Sequence, residues 1–553
     1  MKKLLLGDEA VALGAIYAGL SGVYAYPGTP STEITEFIQN NPLARERGIR
    51  SRWCTNEKTA MEAALGMSYA GKRALVCMKH VGMNVCADAF VNSAITGVNG
   101  GLVVLAADDP SMHSSQNEQD SRFYGKFAMI PIFEPSTQQE AFCMMSEAFE
   151  LSEKLGEPVL FRVVTRLAHS RAAVEIGNLQ DQNEFNPATG KGWILLPGIA
   201  RRQYISLIGK QEAMAEAAEE SEHNRLEEIP DQVGDDGRKV GDDRRDVGDD
   251  KREVGDDKKD GCAPLGVIAC GIAYNYVCEA GAKNVLKVSQ YPLPVKKIKE
   301  LAARSQSILV VEDGQPVVEQ DVKAILGADY KIEGRLTGKL PRTGELNPDN
   351  VAAALGIAPG QGFAPAKNLA ARPPQLCPGC GHRDVYNALN KVAAEYPGAR
   401  IFGDIGCYTL GALPPFQSLS SCVDMGASIT MAKGAADAGL FPAIAIIGDS
   451  TFTHSGMTGL LDAVNDHSNI TVVISDNLTT AMTGGQDSAG TSKFEAICLG
   501  LGVEPEHLHV VNPIAPNMEA ITAIIRKEIE YDGVSVIIPR RECMQTLRRH
   551  SKK

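Results

Sequence analysis

Short apolar runs alternate with amphipathic helical stretches along most of the chain. Near the start, helices are predicted over residues 8–18, 31–40 and 58–70. The predicted strands cover residues 23–25, 74–78, 101–106, 159–164, 265–269, 308–311, 401–402, 443–447, 470–475 and 534–538. Strands that alternate with helices in this way favour parallel α/β sheets. We therefore predict an α/β protein with doubly wound parallel sheets.

One segment departs from this pattern. The tetrapeptide Val-Gly-Asp-Asp begins at Val233 and recurs at Val240, Val247 and Val254. Each repeat holds one apolar residue and a glycine, so no coiled-coil seam can form. The segment has too little apolar surface to order itself, which predicts a charged flexible spacer. Calcium binding by the paired aspartates is the alternative, although Lys or Arg lies close to every pair.

Length and composition indicate several domains. The chain has 553 residues, of which 44% are apolar, enough for more than one buried core. The predicted boundaries place a first α/β domain at 1–205, the charged spacer at 206–262, a smaller α/β domain at 263–357, a Pro/Gly-rich linker at 358–375, a last α/β domain at 376–545 and a tail at 546–553.

Charge and cysteine content narrow the classes of function. The net charge of −13 argues against nucleic-acid binding and against an anionic membrane surface. No apolar run approaches the length of a membrane span. The 13 cysteines are an odd number in a large chain, which argues against a disulfide framework. We predict a cytoplasmic protein.

Two polar motifs follow two of the predicted strands. Gly448-Asp449-Ser450 comes after the run 443–447, and Asn477 follows the strand 470–475. Carboxyl ends of parallel strands are where such sheets bind ligands. Carboxylate and amide oxygens suit Mg²⁺, and a glycine lets a diphosphate approach the backbone. The pair predicts a Mg²⁺–diphosphate clamp; two polar turns that merely border strands are the alternative.

A cluster of cysteines supplies the second strong motif. Cys377-Pro-Gly-Cys380 could be a redox dithiol, half a zinc site, half an iron–sulfur site or a structural turn. The motif follows a linker rather than a strand, and no second CxxC exists to complete a zinc site. Cys407 ends a β run in the same domain, and three thiolates plus a fourth would hold a [4Fe–4S] cluster. Cys422, Cys498 and Cys543 are the candidates for the fourth ligand, with Cys543 as the working choice.

Taken together, these motifs resemble those of the thiamine-diphosphate-dependent 2-oxoacid:ferredoxin oxidoreductases, and within them the indolepyruvate:ferredoxin oxidoreductase α subunits. The resemblance covers nearly the whole chain apart from the charged segment, and its motifs occur in the family's order. The matching segments are 26–33, 56–58, 78–84, 107–110, 113–122, 377–380, 403–407, 425–428, 448–452 and 476–484.

The resemblance implies a thiamine-diphosphate-binding fold and roles for individual residues. The domain at 1–205 would bind the pyrimidine, the domain at 376–545 would bind the diphosphate, and the smaller domain would resemble the transketolase C-terminal domain. Glu57 would pair with N1′ of the aminopyrimidine and promote its imino tautomer. Met425, followed by Gly426, would be the bulky wedge that bends the cofactor. Without the resemblance, Glu57 would be taken for a helix-capping acid and Met425 for a core residue.

The same resemblance assigns the remaining ligands of the cofactor. Asp449, Asn477 and the carbonyl of Thr479 would hold Mg²⁺, and Gly448 and Ser450 would border the diphosphate.

Substrate contacts are also implied. Thr29 and Arg122 are the candidates for binding the substrate carboxylate, since arginine binds carboxylates bidentately. His80 would border the reactive carbon. Capping or surface roles are the alternatives for Thr29 and Arg122.

The implied reaction is oxidative decarboxylation of a 2-oxoacid, with arylpyruvate as the substrate class of the family. Electrons would pass through the [4Fe–4S] cluster to ferredoxin, and coenzyme A would take the acyl group. The expected partners are a smaller β subunit, ferredoxin and coenzyme A, in a hetero-oligomer.

One departure from the family leaves alternatives open. Family members usually carry a C-terminal ferredoxin-like domain with CxxCxxCxxxC repeats, and no such repeat follows Cys543 here. We therefore expect electrons to leave through a single cluster or through a partner subunit. A non-oxidative thiamine-diphosphate decarboxylase and a non-catalytic scaffold remain the competing hypotheses.

Overall fold

The computed structural model describes residues 1–187, 193–228, 265–358, 364, 366, 368–369 and 373–550. The Val-Gly-Asp-Asp repeats lie outside the described residues, so the spacer and the calcium alternative both remain predictions. Backbone contacts divide the chain into two compact units. The first comprises Met1–Val23, Glu36–Arg50 and Ala64–Gly362, and the second comprises Tyr24–Thr35, Ser51–Ala63 and Phe363–Lys553. No helix in the described ranges is long and apolar enough to cross a membrane.

The strands of the first unit belong to three sheets. A seven-stranded sheet has the order Gln290–Tyr291, Ile132–Phe133, Val159–Val164, Leu102–Asp108, Ala74–Lys79, Gly22–Ala25 and Arg50–Trp53, and its last two strands continue along the chain into the second unit. A five-stranded sheet has the order Lys331–Glu333, Ser307–Val311, Leu265–Cys270, Asn284–Val288 and Arg225–Glu228. Lys2–Leu6 and Arg171–Glu175 form a two-stranded antiparallel sheet. The central pairs of the larger sheets are parallel.

Helices connect these strands. Gln138–Leu155 illustrates why they form where they do: the Thr137 side chain accepts a hydrogen bond from the Glu140 amide, and the helix ends at Gly156 with φ +64°. The other helices that lie in this unit or run into it are Gly7–Tyr17, Thr32–Asn40, Pro42–Glu46, Glu57–Tyr69, His80–Thr96, Arg122–Ala128, Thr165–His169, Pro197–Gly209, Gln211–Glu220, Ala273–Glu279, Val295–Ala303, Val317–Leu326 and Pro348–Ala354.

The start of the predicted charged spacer is wrong. Residues 206–228 end one helix, form the helix Gln211–Glu220 and then form the strand Arg225–Glu228. Met214 is buried on the helix Gln211–Glu220, and the strand pairs antiparallel at the edge of the five-stranded sheet. Ladder hydrogen bonds order this polar strand although it offers little apolar surface, which composition could not reveal.

The second unit contains a six-stranded, entirely parallel sheet. Its order is Ser421–Cys422, Arg400–Gly403, Ala443–Gly448, Ile470–Ser475, Val534–Pro539 and Leu508–Val511. The strand order reverses between Arg400–Gly403 and Ala443–Gly448. Ligands of open α/β sheets bind beyond the carboxyl ends of the strands at such a switch point.

Both faces of this sheet are covered. Along the strands, alternate residues such as Ile447 and Ile446 enter two separate apolar clusters, because successive side chains of a strand point to opposite faces. The covering helices are Gly381–Ala393, Ala427–Asp437, Met457–Asn465, Phe494–Gly500 and Met518–Ile529, and the last helix of the unit is Met544–His550.

The predicted α/β class with parallel sheets is confirmed. Apart from the start of the charged spacer, the domain boundaries remain predictions, since the compact units are discontinuous along the chain.

Candidate functional site

The predicted metal ligands meet at the carboxyl ends of two adjacent strands. Asp449 follows Ala443–Gly448 and is 3% exposed. Its Oδ2 accepts a hydrogen bond from the Thr479 amide at 3.0 Å, and Asn477 Oδ1 accepts from the same amide at 3.3 Å. The Thr479 N–H therefore holds a carboxylate oxygen and an amide oxygen close together, and Mg²⁺ takes ligands of both types.

The loop that carries Asn477 is held by ionic and backbone contacts. Arg540 Nε donates to Asp476 Oδ2 at 2.6 Å, and Asp476 Oδ1 accepts from the Leu478 amide at 3.1 Å. Leu478 has φ +64°, a left-handed conformation that is uncommon for a residue with a side chain. Such strain persists where the surroundings impose it, often at ligand sites.

The electrostatics of Asp449 suit a cation. Burial, together with the nearby charge of Asp476, raises the pKa of Asp449 to about 7. A divalent ion beside this carboxylate would offset the cost of burying its negative charge. The donor set and the charge therefore fit Mg²⁺.

Glu57 lies in the same unit and is linked to the diphosphate motif by hydrogen bonds. It is 6% exposed, and its Oε2 accepts from His454 Nε2 at 2.8 Å. Asn56 Nδ2 donates to the His454 carbonyl at 3.0 Å. The Tyr26 ring packs edge-on against His454, and its hydroxyl lies 2.9 Å from Ser450 Oγ. The buried carboxylate therefore has a fixed position, as an acid that pairs with a pyrimidine nitrogen needs.

The turn that carries the predicted wedge is held by a second buried acid. Asp404 Oδ2 accepts from the amides of Gly426 and Ser428, both at 3.2 Å, and from Ser428 Oγ at 2.7 Å. Burial raises the pKa of Asp404 to about 6. Gly426 has φ +94°, and a Cβ there would lie 2.6 Å from Ser455 Cβ, so only glycine fits beside Met425.

Four of the cysteines line one cavity of about 140 Å³: Cys377, Cys380, Cys407 and Cys543. Burial, together with the nearby thiols of Cys380 and Cys543, raises the pKa of the Cys407 thiol to about 12. In the described part of the chain, no three of these thiols lie within 4.8 Å of one another. Sulfurs around a single zinc ion would be about 3.8 Å apart, so this spacing does not favour the zinc alternative.

The other two candidates for a fourth ligand lie elsewhere. Cys422 is exposed and its thiol donates to the Asp404 carbonyl at 3.7 Å. Cys498 is packed in the apolar cluster on one face of the sheet. The structure therefore brings Cys543, rather than Cys422 or Cys498, to the other three cysteines, and the donor set fits a thiolate-bound cluster.

The three predicted substrate residues are not brought together in one unit. Thr29 is half-buried in the second unit, in a loop where the Gly28 amide donates to Thr32 Oγ1 at 3.0 Å. His80 belongs to the first unit, where it is 1% exposed and its Nε2 lies 3.2 Å from the Asn117 carbonyl.

Arg122 also belongs to the first unit, and it has no exposed surface. Its guanidinium pairs with Asp120 at 2.5 Å and with Glu312 at 3.0 Å. A guanidinium engaged in this way does not favour the predicted role in binding a substrate carboxylate.

Four residues that hold the site were given no role by sequence reasoning: Tyr26, His382, Asp404 and His454. Each lies in or beside a motif that carries the resemblance, but only contacts across the fold reveal what it holds. In the structure, His454 lies in the π-helical turn Phe452–Gly456, a distortion often found at functional sites.

Two family models match the chain. Residues 13–205 match the thiamine diphosphate-binding domain of pyruvate flavodoxin/ferredoxin oxidoreductases, and residues 404–538 match the C-terminal thiamine pyrophosphate-binding domain of thiamine pyrophosphate enzymes. Fold and site thus define a thiamine-diphosphate-binding protein of the 2-oxoacid oxidoreductase class.

Similar proteins identify the family. The chain is 39% identical to indolepyruvate oxidoreductase subunit IorA of Archaeoglobus fulgidus, over 98% of this chain and 86% of that one. It is 37% identical to the subunit of the same name from Methanothermobacter thermautotrophicus, over 98% and 87%. The chain belongs to the family of indolepyruvate oxidoreductase subunit IorA.

A solved structure of 2-oxoglutarate:ferredoxin oxidoreductase from Magnetococcus marinus is more distantly similar, with 16% identity and a TM-score of 0.48 over 64% of this chain and 65% of that one.

Proposed function

We propose that this chain is the catalytic subunit of a 2-oxoacid:ferredoxin oxidoreductase that acts on indolepyruvate or a related arylpyruvate. The observation that carries the proposal is the presence in one compact unit of a buried Glu57, the converging oxygens of Asp449 and Asn477, and a cavity lined by four cysteines. The substrate comes from the names of the relatives, which are called indolepyruvate oxidoreductase subunits.

This geometry supports the cofactor ligands that the resemblance implies. Asp449, Asn477 and the Thr479 carbonyl would hold Mg²⁺, and Gly448 and Ser450 would border the diphosphate. When bound, thiamine diphosphate supplies the nucleophilic carbon and the electron sink for loss of CO₂.

Residues around the pyrimidine position control a proton. Glu57 would hold a proton at the pyrimidine nitrogen, as a carboxylate with a fixed position can do. His454 keeps Glu57 in place through the 2.8 Å hydrogen bond. Met425, on the turn that Asp404 holds, would press against the cofactor and keep it bent.

The thiols would provide the route for electrons. Cys377, Cys380, Cys407 and Cys543 would ligate a [4Fe–4S] cluster that passes electrons to ferredoxin. Coenzyme A would accept the acyl group, and a smaller β subunit would complete a hetero-oligomer in the cytoplasm. Thr29 and His80 remain the proposed substrate contacts, whereas Arg122 is a structural residue in this proposal.

The test is anaerobic co-expression with the candidate β subunit. The purified complex, supplied with Mg²⁺, thiamine diphosphate and coenzyme A, should reduce methyl viologen with indolepyruvate and form acyl-CoA. Iron and sulfide should be present at about four each per cluster. Aldehyde release without coenzyme A or an electron acceptor would instead identify the non-oxidative decarboxylase, and no turnover of any 2-oxoacid would favour the scaffold.

A further inference from the structure

We propose that His382 is a positioning residue that orients the Asn477 side chain, so that its oxygen rather than its nitrogen faces the metal position. This inference deepens the proposed function and rests on Asn477 being a Mg²⁺ ligand. His382 lies two residues after Cys380, at the start of the helix Gly381–Ala393, and is 3% exposed.

The orientation of an asparagine amide depends on its partners, because its oxygen and nitrogen are nearly the same size. Asn477 has a partner at each end. Its Oδ1 accepts from the Thr479 amide at 3.3 Å, and its Nδ2 lies 3.3 Å from His382 Nε2. The reverse orientation would place an oxygen against His382 and an NH₂ group against the Thr479 N–H, beside the Asp449 carboxylate.

The tautomer of the His382 imidazole determines whether the ring can orient the Asn477 amide. His382 Nδ1 lies 2.6 Å from Ser475 Oγ. A neutral imidazole has one donor and one acceptor nitrogen. Because Asn477 Nδ2 can only donate, Nε2 is the acceptor in this arrangement, and the ring proton lies on Nδ1, which donates to Ser475 Oγ.

The backbone of Asn477 is also held. Its carbonyl accepts from the Cys543 amide at 3.1 Å, which leaves rotation of the side-chain amide as the main remaining freedom. An inverted amide would turn an N–H toward Mg²⁺ and lose one oxygen ligand. Partners that orient a metal ligand typically contribute about 10- to 100-fold to metal affinity.

Two substitutions separate the contacts of His382. In His382→Gln, the side-chain amide can reach the place of Nε2 and still accept from Asn477, but it no longer reaches Ser475 as Nδ1 does. In His382→Asn, the shorter side chain can reach Ser475 but not Asn477. The exposed His467, changed to Gln, is the control.

The measurement is calorimetric titration of the anaerobic complex with thiamine diphosphate at increasing Mg²⁺. We expect His382→Asn to raise the Mg²⁺ concentration needed for half-maximal binding by about 10- to 100-fold. His382→Gln should stay within about threefold of the original protein, and His467→Gln should match it. Iron per chain is measured in parallel and should be unchanged, which shows that the neighbouring thiol cavity is intact.

Equal weakening by both His382 substitutions would overturn the proposal, because a packing role does not distinguish them. Unchanged Mg²⁺ dependence in His382→Asn would overturn it as well. If the unsubstituted complex bound thiamine diphosphate without Mg²⁺, the metal clamp and the proposed function would fail first, independently of His382.

Discussion

Two groups of buried charges, one in each compact unit, differ in how they are neutralised. In the first unit, each carboxylate of a network pairs with an arginine: Asp108 and Glu134 with Arg162, Asp120 and Glu312 with Arg122, and Asp313 with Arg335. In the second unit, the Asp449 carboxylate accepts hydrogen bonds from the backbone amides of Ser450 and Thr479. The carboxylates of the first group are neutralised by arginines of the protein itself. The Asp449 carboxylate carries a charge that a bound cation would balance.

The pKa values support this difference. Burial alone would raise the pKa of Asp120, but the charges of Arg122 and Arg162 bring it below its ordinary value. For Asp449, burial and the nearby charge of Asp476 instead raise the pKa to about 7. The arginine partners of Asp120 therefore indicate a structural role, whereas the carboxylate of Asp449 suits a ligand position.

The largest expected effect is on catalysis. Glu57→Gln should lower the rate of viologen reduction with indolepyruvate by about 10²- to 10⁴-fold, because a proton at the pyrimidine nitrogen can no longer be exchanged with a carboxylate. Anaerobic steady-state kinetics measures the loss. Glu62→Gln is the matched control, since Glu62 is half-exposed on the same helix. Unchanged turnover in Glu57→Gln would remove the catalytic assignment.

The next effect is on stability. Arg162→Met should lower the free energy of unfolding by about 3–5 kcal/mol, because it leaves buried carboxylates without their partner. Arg166→Met is the control: Arg166 pairs with Glu345 at the surface, and such pairs contribute about 0–1 kcal/mol. Denaturant unfolding measures both. Equal stability of the two variants would show that the network is not the structural element described above.

A smaller loss is expected at the metal clamp. Asp449→Asn should weaken Mg²⁺-dependent binding of thiamine diphosphate by about 2–5 kcal/mol, as removal of one partner of a buried charge pair does. Calorimetric titration measures it, with the exposed Asp462→Asn as the control.

The same titration has a pH dependence with a definite sign. Because the pKa of Asp449 is raised to about 7 without metal, protons compete with Mg²⁺ as the pH falls through about 7, and apparent Mg²⁺ affinity should fall with it. Asp449→Asn should abolish this slope. A slope that persists in the variant would assign it to another group.

The smallest expected effect is on iron content. Cys543→Ser should lower iron by about one atom in four, since serine is a poorer cluster ligand than cysteine. Cys422→Ser and Cys498→Ser should leave iron unchanged, and metal analysis of the anaerobic complexes measures all three. Loss of iron in Cys422→Ser with none in Cys543→Ser would reverse the choice of the fourth ligand.

Much of the fold could be predicted from the sequence. Apolar runs such as 470–475 and 159–164 match the observed strands, because buried parallel strands need apolar residues on both faces. The strand Arg225–Glu228 could not be predicted, since a polar edge strand is ordered by hydrogen bonds to a partner distant in sequence. Boundaries set by composition failed there for that reason.

Some residues of the candidate site could also be predicted from the sequence, and others could not. Asp449 and Asn477 could be predicted because strand ends in parallel sheets converge, and this rule depends only on local pattern. Arg122 has the charge that a carboxylate ligand needs, but it pairs with Asp120 two residues earlier and with two acids from more distant segments, Glu134 and Glu312. No local pattern indicates that such a guanidinium is already engaged.

By itself, the sequence determined the α/β class, the predicted oxygen ligands Asp449 and Asn477, and the cysteines Cys377, Cys380 and Cys407. These depend on periodicity and on the chemistry of single residues. The tertiary structure alone decided which cysteine joins Cys377, Cys380 and Cys407, and which side chains hold Glu57 and Asn477 in place. Those contacts join residues far apart in the chain, such as Glu57 with His454 and Asn477 with His382. Folding brings such partners within hydrogen-bonding distance, and their burial removes the competing water that would otherwise weaken each contact.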